Sequence, residues 1–227
     1  MRRLLPLLLL SVLVSSAARA QFYNAPSLQP SIISEREYNF VAASGNGAGT
    51  SLIFQWREAL VPGWQLTAEG GLAAPTGANV NTRVILGVGA AYQLTRNKED
   101  FPFDIAATAG AGLSAGSADQ GGSGAHVANG TVFRLPVGAV VGHTFDLDRG
   151  YRLTAFVHPR LSFDRCGDCV AGHSDTKMNV DVDIGANLQL TPQVSVRVAA
   201  LLGGTDYLAS TDAVGFSVAW TPKGLKK

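Results

Sequence analysis

From Lys177 to Leu190 the chain changes character at every step. Met178, Val180, Val182, Ile184, Ala186, Leu188 and Leu190 hold the even positions, while Lys177, Asn179, Asp181, Asp183, Gly185, Asn187 and Gln189 hold the odd ones. A helix would scatter these side chains around its axis, whereas an extended strand sends alternate residues to opposite faces and separates them completely. Residues 81–94 repeat the pattern. Val84, Leu86, Val88, Ala90, Tyr92 and Leu94 oppose Arg83, Gly87, Gly89 and Gln93, with Ile85 the one large exception. Similar runs cover about 35–43, 50–57, 63–73, 102–114, 131–145, 150–163, 193–202 and 212–221. They predict an all-β chain of ten antiparallel strands, with eight as the alternative count. Each run has roughly the 9–11 residues that a tilted strand needs to cross a hydrocarbon layer, or somewhat more.

Period two leaves open which face is the core. A soluble secreted barrel or sandwich with its apolar face inward is the plainer alternative to a barrel whose apolar face meets lipid. The connections discriminate, because they alternate in kind. Leu60-Val61-Pro62-Gly63, residues 96–100, residues 146–150 and Thr191-Pro192-Gln193 are short turns. Between them lie longer segments at 74–81, 114–130, 165–175 and 203–211, and only the first of the series, 45–49, is short. Outer-membrane barrels place short turns in the periplasm and long loops outside the cell, while a sandwich has no cause to alternate.

The aromatic residues agree. Tyr38, Trp56, Trp64, Tyr92, Phe103, Phe145, Tyr151 and Trp220 all fall on apolar faces, and all adjoin a short-turn end or a chain end on that side. A ring of aromatics at one level is what a boundary between hydrocarbon and headgroups selects. On the opposite face stand Gly87, Gly89, Gly142, Gly185, Gly215 and other glycines. Glycine weakens a solvent-facing strand but makes room inside a narrow lumen.

Composition fits a barrel in a membrane and excludes some alternatives. Charged residues make up 15% of the chain, below the roughly 25% of ordinary soluble domains. No stretch after the first residues reaches the roughly 18–20 apolar residues of a membrane-spanning helix, so only a closed sheet can satisfy its backbone in a bilayer. Residues 1–20 read as a signal peptide: Arg2 and Arg3, an apolar run, then Ala18-Arg19-Ala20 before Gln21. Cleavage there would remove three of 18 basic residues and leave 15 against 17 acidic ones, a net charge of −2 that offers nothing to nucleic acid. The expected organisation is a signal peptide at 1–20, an N-terminal periplasmic segment at 21–34 with the lumen as its other possible location, a barrel at 35–221 and a tail at 222–227.

In these features the chain resembles the small outer-membrane β-barrels of Gram-negative bacteria, the class of opacity-type and short porin-like barrels. Their last strand carries a glycine, alternating hydrophobics and a final aromatic, which the barrel-assembly machinery reads as an insertion signal. Gly215, Phe216, Val218 and Trp220 fit that spacing, and the tail 221–227 departs from it. The resemblance covers about 35–221 and implies outer-membrane lipid and the assembly machinery as partners, with envelope proteins reached through the outer loops.

Chemistry is expected in the lumen. Arg83, Arg134, Arg160 and Lys177 should line the long-loop mouth, with Asn179 and His158 next. Glu69, Asp181, Asp183 and Arg197 follow deeper, and Glu37, Arg57, Asp104 and Arg152 lie at the short-turn end. Four cations at a mouth attract anions, whereas buried charges that pair with one another simply brace the wall. A register that puts Phe163 opposite Thr176 would face His158 with Asp181, and some ten-stranded outer-membrane proteases use Asp and His at their rim. Ser162 lies four residues from His158, roughly 13 Å along the strand, too far for a nucleophile and base. Cys166 and Cys169, expected in an outer loop, suit a small disulfide ring in an oxidising envelope; a metal held with His173 and Asp175 is the weaker alternative. The function expected is structural or interaction-based and not enzymatic, with no cofactor or metal and at most narrow passage of small solutes or ions. The alternatives are an anion-preferring channel, a surface adhesin or envelope-complex subunit and, least supported, an outer-membrane hydrolase.

Overall fold

The computed structural model describes residues 27–45, 49–74, 82–97, 101–116, 131–170, 173–203, 205–206, 209–210 and 212–223, with backbone alone at 168–170, 173, 205–206 and 209–210. The expected signal peptide, the segment 117–130 with His126, the side chains of Cys169 and His173 and the end of the tail lie outside the described residues.

The strands are β1 (Arg36–Gly45), β2 (Gly49–Val61), β3 (Trp64–Ala74), β4 (Arg83–Thr95), β5 (Asp104–Ala115), β6 (Thr131–Asp146), β7 (Arg152–Val170), β8 (His173–Gln189) and β9 (Val194–Leu202). The two-residue strands β10 (Thr205–Asp206) and β11 (Ala209–Ser210) precede β12 (Ala213–Trp220). β1 to β9 and β12 form one closed antiparallel barrel of ten strands, and β10 pairs only with β11. Each strand lies beside its neighbour in sequence, and β12 closes the cylinder on β1 from Tyr38↔Trp220 to Ser44↔Val214.

The cylinder is apolar outside and largely polar inside, with a buried apolar cluster that includes Leu28, Ile33, Ile53, Ile85, Phe156 and Leu201. Trp64, Val180 and Phe216 are 47%, 59% and 49% exposed, while Gln55, Arg57 and Asp183 are fully buried. Seven of the eight predicted aromatics are exposed and Tyr38 is half-buried, all near the short-turn end. Several touch across strands: the rings of Tyr38 and Trp220 lie 5.6 Å apart, and those of Trp64 and Tyr92 4.8 Å. His143 stands between Phe103 and Phe145 in the same band. The β2–β3 turn is tight because Gly63 takes φ +80°, a backbone that side chains resist.

Two expectations are corrected. Residues 165–175 are not a loop, because β7 and β8 run on to Val170 and from His173. Alternation persists there, with Phe163 and Arg165 exposed and Asp164 and Cys166 buried, but the outward side chains are no longer all apolar. The register also differs from the one expected. Phe163 lies opposite Met178 and not Thr176, and the register shifts again at a bulge between Cys166 and Val170.

Residues 27–34, assigned from sequence to the periplasm with the lumen as the other option, run inside the barrel. They enter at the short-turn end, and Ser27, Leu28, Gln29 and Ser31 are fully buried.

Candidate functional site

The lumen is where the strands bring polar chemistry together, and its charges fall into clusters. Nearest the short turns, Glu37 of β1 accepts from two arginines. Arg57 of β2 donates at 2.5 Å, and Arg197 of β9 grips both carboxylate oxygens at 2.8 and 2.5 Å. Because β12 lies between β1 and β9, this triad ties the wall across the seam where the barrel closes. Arg197 also donates to Asn187 at 3.0 Å.

Further up, Arg160 of β7 donates to Asp183 of β8 at 2.5 Å. His158 lies opposite Asp183 in register and not Asp181, two residues from the expected pairing, because of the shifted hairpin. Its Nδ1 is 3.7 Å from the Asp183 carboxylate, beyond hydrogen-bond reach, while its Nε2 is 2.8 Å from Thr108 Oγ1. Asp181, buried, lies opposite Arg160. Nearest the long loops, Asp164 accepts from Arg134 at 3.0 Å, from Asn179 at 2.7 Å and from Ser162 at 2.5 Å. Arg83 donates to the hydroxyl and carbonyl oxygen of Ser114 at 3.1 and 3.0 Å.

The expected ring of four cations therefore resolves into different environments. Arg134 and Arg160 are buried against carboxylates, Arg83 is buried against a serine, and Lys177 is exposed. Asp104 accepts from the Asn97 backbone, and Arg152 pairs with the exposed Asp146. Glu69 accepts from Gln55 at 2.6 Å and from the backbone of Ser27 at 3.2 Å. Among the described residues, no group of three His, Cys, Asp or Glu side chains is placed to hold a metal.

Sequence reasoning missed Asp164, because strand seven was ended at residue 163. It also missed the glutamines Gln55, Gln65 and Gln93, which meet residues 27–34 from β2, β3 and β4. Their signal was available: three long amides on inward faces have the reach to hold something in the lumen. Beside residues 30–34 a cavity of about 210 Å³ remains, bounded by Glu37, Thr154, Asn187 and Arg197.

No family model matches the chain, and no curated protein matches its sequence. Solved structures do match in shape. A bacterial polysaccharide outer membrane secretin is 7% identical with a TM-score of 0.49, covering 81% of this chain; the match spans 58% of the secretin's own length. The KdgM porin is 10% identical over 82% of this chain and 99% of its own, with a TM-score of 0.39. The β domain of the Bordetella autotransporter BrkA is 11% identical over 82% and 98%, with a TM-score of 0.42. At these values the likeness carries no function across, and the geometry of the lumen itself has to decide.

Proposed function

We propose that this chain is an outer-membrane β-barrel with its short turns in the periplasm, and that it acts as a closed scaffold with a structural or interaction role. An apolar belt around a polar interior is stable only where the outside solvent is hydrocarbon, since in water the same surface would drive aggregation. The observation that carries the closed state is the mutual commitment of the lumen charges. Ion recruitment needs an uncompensated field along the path. Here Arg57, Arg197, Arg160 and Arg134 are ion-paired with Glu37, Asp183 and Asp164 over much of the height of the wall, buried Asp181 opposite Arg160 supplies the fourth negative charge, and residues 27–34 lie in the way.

The interaction surface is the outer rim. β8 runs from His173, yet its pairing with β9 begins only at Val182↔Leu202, so the hairpin of β7 and β8 rises beyond β9 as a ledge. Cys166 is buried at the top of β7, and pairing with Cys169 would close a small ring that fixes the ledge's edge. His158 and Asp183 act as braces in this assignment and not as a catalytic pair.

Planar-bilayer recording tests the closed state. Wild-type protein is expected to give no discrete current steps. Anion-selective steps that vanish when Arg83, Arg134, Arg160 and Lys177 are neutralised would establish the channel instead. Thiol counting on intact cells should find no free thiol before reduction and two after it; two beforehand would remove the ring.

A further inference from the structure

We infer that the β2–β4 wall of the lumen is a binding site for an uncharged, turned polypeptide segment: residues 27–34 occupy it in this chain, and a segment of the same chemistry offered from the periplasm replaces them. The inference rests on the closed-barrel assignment for its direction of entry, but the site is defined by its own contacts.

The wall reads main chain. Gln55 and Arg57 donate to the Ser27 carbonyl oxygen at 2.8 and 2.6 Å, and Glu69 accepts from the Ser27 N–H at 3.2 Å. Gln93 accepts from the Ile33 N–H and donates to the Ser31 carbonyl, both at 2.9 Å, in the paired manner of a β-ladder. Gln65 donates to the Ser34 carbonyl at 2.9 Å and Arg96 to that of Ile33 at 3.2 Å. Polar side chains thus satisfy the main-chain N–H and C=O groups of a segment that turns at 27–28 and bends at 31–32, as a strand edge does for an extended peptide.

Shape adds selectivity. A Cβ placed on Gly142 would lie 2.2 Å from Ser31 Oγ, so only glycine leaves room for the segment there. Two methyl carbons of Leu28 lie 3.4 and 3.5 Å from the corresponding position on Gly215, in ordinary packing contact. Leu28 itself is held at φ +47°, a conformation that leucine adopts only where its surroundings impose it. The segment Ser-Leu-Gln-Pro-Ser-Ile-Ile-Ser carries no charge, and a charge in its place would be buried among groups already paired with one another. The adjoining cavity provides space for the segment to shift as it leaves.

Two full-length variants test this. Leu28→Asp/Ile33→Asp places charges in the segment and leaves the wall intact, so discrete currents are expected where wild type has none. An acetylated and amidated peptide of residues 27–34, added on the periplasmic side, should then lower the current by about tenfold or more. The reversed peptide, with donors and acceptors exchanged in direction, should not. A folded but silent variant, or a current indifferent to the peptide, overturns the site. Should the charged variant fail to fold, Gln29→Cys/Gln65→Cys in a Cys166→Ser/Cys169→Ser background decides, with the two thiols joined through reducible disulfides by a short bifunctional thiosulfonate that spans the length lost from two amide side chains that meet at 3.1 Å. Labelled peptide is expected to bind after reduction and not when the pair is joined; equal binding in both states overturns the proposal. Wild-type conductance alone would sink the closed state while leaving both peptide outcomes to be read.

Discussion

Glu37 is the residue on which the short-turn half of the lumen turns. Its carboxylate holds two buried arginines from strands on either side of β12. Removing one member of a buried ion group leaves the others uncompensated, at a cost of roughly 3–5 kcal/mol. Glu37→Gln keeps the size of the side chain and loses only its charge. It should lower the unfolding free energy of the barrel by an amount of that order, seen as a fall in the urea midpoint at which the compact gel band is lost. Arg160 and Asp183 allow a stricter check, because a buried pair replaced as a unit often costs little. Asp183→Asn alone should destabilise, and Arg160→Met/Asp183→Leu should recover most of the loss in the same titration. A double variant as unstable as the single one would show that the pair does more than neutralise itself.

At the scale of the strand, the outward face predicts a depth dependence. Val88 of β4 is 59% exposed and lies four residues, roughly 13 Å, from Tyr92 in the aromatic band, whereas Leu94 lies just past that ring. Val88→Arg should cost about 2–4 kcal/mol and Leu94→Arg about 0–1, as depth in hydrocarbon dictates. Reversible unfolding in lipid vesicles measures both, and equal costs would mean that β4 does not cross a bilayer. Strand number and facing were legible in the sequence because hydrocarbon outside and a narrow lumen inside impose opposite selections on alternate residues. Legibility faded at the ledge. Arg165 already faces outward beyond Phe163, so the code that marked β7 stopped before the strand did, and Asp164 and the register of His158 were lost with it.

The whole molecule is a closed cylinder with a braced interior and a lumen wall covered by residues 27–34. The location of residues 27–34 was only partly written in their own side chains: Leu28 and Ile33 join the buried apolar cluster, but most of the wall's hydrogen bonds go to the backbone, which every sequence shares. Its trace lay on the other partner, in inward glutamines and in Gly142. What all of this requires is that the apolar face meets acyl chains, with the aromatics at one boundary. The three tryptophans, Trp56, Trp64 and Trp220, are all exposed in that band, so intrinsic fluorescence reports on it without any substitution. In vesicles of lipids brominated at different acyl depths, emission should be quenched most by bromines near the headgroups and little by aqueous iodide. Strong iodide quenching with no response to bromolipid at any depth would contradict the account.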